Sequence, residues 1–133
     1  MSNRNRHAGL QGYLLRACLE PGAERADGAL AIVFDGNLRV LIHPAGRGDL
    51  VFESLICALP ALRSPADRLL ENVARHATER SPAEADCLCL RGEPEQLLLQ
   101  QRVASDASSD EFEAGLGNFL NALTRWRART GTL

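Results

Sequence analysis

A chain of 133 residues is the size of one domain and can bury a core without disulfide or metal staples. Hydrophobic residues at 45% and charged residues at 24% exclude global disorder, and a net charge of −2 with no basic, aromatic-studded patch excludes a nucleic-acid partner. All 15 basic residues are Arg, so chemistry that needs a Lys, such as a Schiff base or a phosphate-loop Lys, is excluded as well.

The opening Met1–Arg6 is polar and is expected to fray. It leads into no apolar stretch, so no secretory leader is expected, and no later run is long enough for membrane insertion. A cytoplasmic location follows, with Cys18, Cys57, Cys87 and Cys89 reduced. Leu10, Leu14 and Ala17 recur at helical spacing, with Tyr13 and Cys18 beside them. They predict a helix over His7–Glu20, stopped by Pro21-Gly22, with a polar loop over 23–28. Three strands come next, Ala29–Phe34, Leu38–His43 and Leu50–Ala58. The turns between them, at Asp35-Gly36 and at Pro44-Ala45-Gly46-Arg47-Gly48, are short, so they form an antiparallel meander.

Ser64 is expected to cap a second helix, with Pro65 at its first position and Asp67 three residues after the cap. Ala66, Leu69, Leu70, Val73, Ala74 and Ala77 give that helix one apolar face, and Ser81-Pro82 ends it. A second hairpin pairs Asp86–Arg91 with Gln96–Val103 through Gly92-Glu93-Pro94. The last helix opens on Ser108, with Glu111 as its capping-box partner. Phe112, Leu116, Phe119, Leu123 and Trp126 form its buried stripe, Gly115 and Gly117 allow close backbone approach, and Gly131 lies just beyond its end. The fold class is α+β, in the order α-β-β-β-α-β-β-α, with a twisted antiparallel sheet packed by helices.

Strand alternation places Leu30, Ile32 and Phe34, then Leu38, Val40 and Ile42, then Leu50, Phe52 and Ile56 on one face. The opposite face carries Val33, Leu41, Val51, Leu55 and Cys57 beside Arg39 and Glu53. In the fourth strand Cys87 and Cys89 face one way and Leu88 and Leu90 the other. Three helices can hardly cover both faces of five strands, so apolar surface should remain for a second subunit or a bound peptide. Loops or the first helix covering that surface is the alternative.

Chemistry finds little support. Cys87-x-Cys89 lacks both a second thiol pair and a nearby His, so buried thiols are expected and no metal. His7, His43 and His76 are scattered. Gly46-Arg47-Gly48 is too short for a phosphate loop. With no general acid–base pair in context, the reading is a protein that is not an enzyme and needs no cofactor.

The first helix around Leu10-x-x-x-Leu14-Leu15, the meander from Asp35-Gly36-Asn37-Leu38 through Leu59-Pro60, and the final Phe119-Leu120-x-x-Leu123-x-x-Trp126 carry a family resemblance. Over about residues 8 to 129 the chain resembles the class I type III secretion chaperones, the family of the Tir chaperone. The resemblance implies a cytosolic homodimer in a Gram-negative bacterium. Such a protein binds an extended N-terminal segment of a secreted effector, keeps it soluble and unfolded, and presents it to the export apparatus without hydrolysing ATP. Face counting then assigns the client surface to Leu10, Leu14, Val33, Leu41, Val51 and Leu55. It assigns the dimer surface to Cys87, Leu88, Cys89 and Leu90, with part of the second helix. A small adaptor that grips a folded partner is the main alternative, and a small-ligand binder or enzyme of α+β fold the lesser one.

Overall fold

The computed structural model describes residues 7–17, 29–79 and 86–131. Its elements are α1 (Ala8–Arg16), β1 (Leu30–Phe34), β2 (Leu38–Pro44), β3 (Leu50–Ala58), α2 (Arg63–Thr78), β4 (Asp86–Arg91), β5 (Gln96–Val103) and α3 (Ser109–Thr130). The five strands form one antiparallel sheet in the order β1-β2-β3-β5-β4. The expected element order and fold class hold. The end of the first helix at Cys18–Glu20, the Pro21-Gly22 stop, the 23–28 loop, Ser81-Pro82 and the opening six residues lie outside the described residues.

Turn chemistry sets the meander. Asp35 and Gly36 take φ values of 50° and 77°, and Asn37 N donates to Phe34 O at 3.2 Å. Two successive left-handed residues give the turn whose twist matches paired strands. Leu30, Ile32 and Phe34 then register with Ile42, Val40 and Leu38.

α3 closes the core over this face. Phe112, Leu116, Phe119, Leu123 and Trp126 are all buried. The Phe52 ring lies 5.2 Å from Phe112, edge-on, and 5.6 Å from Phe119. The capping box forms as the sequence predicts: Glu111 N donates to Ser108 Oγ and Ser108 N donates to Glu111 Oε1, each at 3.1 Å. Gly131, at φ 76°, is the left-handed C-cap.

α1 lies against the start of α3. A Cβ on Gly9 would meet Ala107 O at 2.6 Å, and one on Gly12 would meet Ser109 Cβ at 2.7 Å. Two glycines therefore let the helix ends nearly touch. His7, buried, caps α1: its Nδ1 accepts from Leu10 N at 3.1 Å, and its Nε2 bonds Ala104 O at 2.8 Å. No close backbone approach exists at Gly115, where a Cβ would meet only the end of the Gln101 side chain, Nε2, at an ordinary 3.4 Å. Gly117 faces open space, so neither glycine plays the part expected of it.

Two local expectations need correction. α2 begins at Arg63 with Leu62 as a cap that makes no side-chain bond, so Ser64 is not the cap and Pro65 is the third helical residue. Proline is tolerated there because first-turn N–H groups have no intrahelical partner. In β3 the register slips between Leu55 and Cys57, leaving Ile56 as the extra residue of a bulge. Cys57 is thereby paired with Leu97 and packs against the core, not on the opposite face.

Candidate functional site

All three described helices lie on the Phe52 side of the sheet. α3 crosses β3 and β5, α1 rests on α3, and α2 flanks β4 and β5. The other side has no helix over it among the described residues. By register it carries Val33, Arg39, Leu41, His43, Val51, Glu53, Leu55, Leu98, Gln100, Cys87, Cys89 and Arg91. Val33 is 56% exposed and Leu55 40%, while Leu41 and Val51 are half-buried. These four predicted client residues therefore share one bare face.

Leu10 and Leu14 depart from the expectation. They are 0% and 6% exposed, inside the core cluster with Phe112 and Leu116. A side chain already sealed by its own fold offers nothing to a guest. The apolar residue α1 does present to solvent is Leu15.

The bare face is not uniformly oily. A cleft of about 370 Å³ opens across it, lined by Arg39, Leu41, Glu53, Ser54, Leu55, Arg91, Gln96, Leu98 and Arg127. Its floor is a buried carboxylate. Arg91 grips Glu53 with two bonds, Nη2 to Oε1 at 2.6 Å and Nη1 to Oε2 at 3.2 Å, and Gln100 Nε2 donates to Oε1 at 2.6 Å. His43 Nε2 stands 3.9 Å from Oε1. Burial alone would raise the Glu53 carboxyl. The bonds from Gln100 and Arg91, with the charges of Arg91 and His43, outweigh burial and hold it below its ordinary value. The same pairing pushes the Arg91 guanidinium up.

One wall of the cleft lies where β2 and β3 part. The β2–β3 ladder ends at Leu41 and Glu53, beyond which Ser54 Oγ donates to Arg39 O at 2.6 Å. Arg127, reaching over from α3, donates through Nε and Nη2 to Leu55 O at 3.1 and 2.8 Å, and through Nη1 to Asn37 O at 3.2 Å.

A second surface lies between α2 and the edge strand β4. Of the 16 residues of α2, only Val73 is buried. Leu70, Val73 and Ala74 face Leu88, Cys89, Leu90 and Leu97 across an apolar groove of about 360 Å³. Leu88 is half-buried and Leu90 is 44% exposed, both on the α2 side, whereas exposed Cys87 and half-buried Cys89 alternate onto the bare face. The four predicted interface residues thus stay together on one edge strand, divided between its faces.

The sequence model of the Tir chaperone protein (CesT) family matches residues 14–127. The chain belongs to this family. Its function is that of a type III secretion chaperone. The fold agrees with solved structures. In the structure of the Yersinia pestis type III secretion chaperone SycH in complex with a stable fragment of YscM2, the TM-score is 0.65 at 16% identity, covering 91% of this chain and 98% of that one. The HopA1–SchA chaperone–effector complex gives 0.68 at 15% identity, with 95% of each chain covered. The ExsC–ExsE complex gives 0.66 at 20%, covering 95% of this chain and 90% of that one. No curated protein matches the chain in sequence. Family and fold point to binding, not catalysis. Sequence reasoning missed five of the chaperone's cleft residues, Ser54, Arg91, Gln96, Leu98 and Arg127. A signal for Leu98 was present, because Leu97-Leu98-Leu99 must be apolar on both faces of β5.

Proposed function

We propose that the chaperone acts as a cytoplasmic homodimer, holds an extended N-terminal effector segment against the bare sheet face, and hands it to the export apparatus. The observation that carries this reading is the sheet's one-sided cover. Val33, Leu41, Val51 and Leu55 lie, exposed or half-buried, on the face that no described helix packs. An extended guest can bury apolar side chains there. β1 and β4, as edge strands, have backbone groups to offer it. The guest loses ordering entropy, so it must wrap a large surface to bind well, and pairing two copies doubles that surface. Self-association fits the α2–β4 groove, since the apolar face of α2 has a single buried residue and much of it stays open to solvent. No described helix is long and apolar enough to cross a membrane.

Light scattering with and without an effector's N-terminal segment tests both halves. The protein alone should weigh two chains of 14.4 kDa. Leu90→Arg should reduce it to one chain with its circular dichroism unchanged. A wild-type chain that is already monomeric would remove the dimer. A segment that stays unbound, or that binds only once folded, would remove the client reading.

A further inference from the structure

The cleft on the bare face holds an excess of positive charge that the fold itself does not use. Arg39, Arg91 and Arg127 line it together with one carboxylate, Glu53. That carboxylate is spent on Arg91 and Gln100. Arg127 gives its donors to backbone carbonyls of Leu55 and Asn37, which orient the guanidinium without cancelling its charge. Arg39 is exposed and forms no ion pair among the described residues. Leu41, Leu55 and Leu98 surround these cations with apolar wall.

We propose that this cleft reads an acidic residue in the bound segment, an Asp or Glu flanked by apolar side chains, with its carboxylate between Arg39 and Arg127. The proposal rests on the client reading above and specifies what the client must carry. The chemistry follows from the lining. A purely apolar guest would cover two guanidinium charges and offer neither a counter-charge, which is costly. A basic guest would meet like charge. A carboxylate gains charge-assisted bonds from Arg39 and from the two N–H groups of Arg127 that the carbonyls leave free, and its apolar neighbours fall on Leu41 and Leu55. The β2–β3 ladder ends at Leu41 and Glu53, so Arg39 and Leu55 line the cleft beyond its last paired residues.

Selection from a displayed library of random linear peptides on the immobilised full chain tests this, with an unrelated protein as background. Enriched peptides should carry Asp or Glu next to Leu, Ile or Val. The best of them should bind Arg39→Gln about five- to tenfold more weakly. Selection on Arg39→Glu should shift the preference towards Arg or Lys at the same place. Thermal unfolding of both variants checks that the exposed position leaves the fold intact. Apolar peptides enriched without acidic residues would overturn the charge proposal and leave the client reading standing. No enrichment above background would overturn both.

Discussion

Phe52 and Glu53 are neighbours in β3, and both are buried, yet they are buried for opposite reasons. Phe52 points under α3, where Phe112 and Phe119 exclude water by packing. Glu53 points to the bare face, where Arg91 and Gln100 cover it by bonding it. One face of the sheet is finished by the fold. The other is organised but, among the described residues, uncovered, with a polar anchor set among oily side chains. A client surface needs that second arrangement: fixed in shape, apolar in part, and not consumed by its own core.

The largest effect should come from the finished face. Phe52→Ala should cost about 3–5 kcal/mol, read as a drop in urea midpoint, because it leaves a cavity among rings that cannot collapse. A loss below about 1 kcal/mol would mean that α3 does not seal this side. The open face should respond to acid instead. The Glu53 carboxyl lies below its ordinary value of 4.5 in the folded chain. Its contribution is therefore complete above that value and is lost as pH falls through the depressed one. Wild type should lose more Tm than Glu53→Gln between about pH 6 and about pH 3. Equal losses in the two proteins would show that the carboxylate is not held as the geometry requires. The smallest effect sharpens the contrast. Val33→Thr, exposed on the open face, should change stability by no more than about 0.5 kcal/mol while weakening retention of an effector segment. A stability loss comparable to that of Phe52→Ala would place Val33 in a core.

Much of this contrast was legible in the chain. Strand limits were set by Asp35-Gly36 and Gly46-Arg47-Gly48, because few residues accept left-handed backbone. The α3 stripe was plain because five large apolar residues recur at helical spacing. What stayed hidden depends on partners distant in sequence. The bulge at Ile56 has no local signature, and it alone moved Cys57 to the core. Leu10 and Leu14 look like any amphipathic stripe until Gly9 and Gly12 let α1 close on α3. The start of α2 was misplaced because Ser64 and Pro65 suit several positions of a first turn equally well. The arginine-lined cleft gathers residues from β2, β3, β4, β5 and α3, and no spacing announces that.

Arg127 joins carbonyls 72 and 90 positions upstream. During synthesis, then, the five strands can leave the ribosome and pair before the arginine-lined cleft has its last side. Until α3 arrives, the nascent sheet has neither its sealed face nor its sorted one. A truncation that stops just short of this arginine keeps the buried stripe from Phe112 to Trp126 and removes only the cleft's last wall.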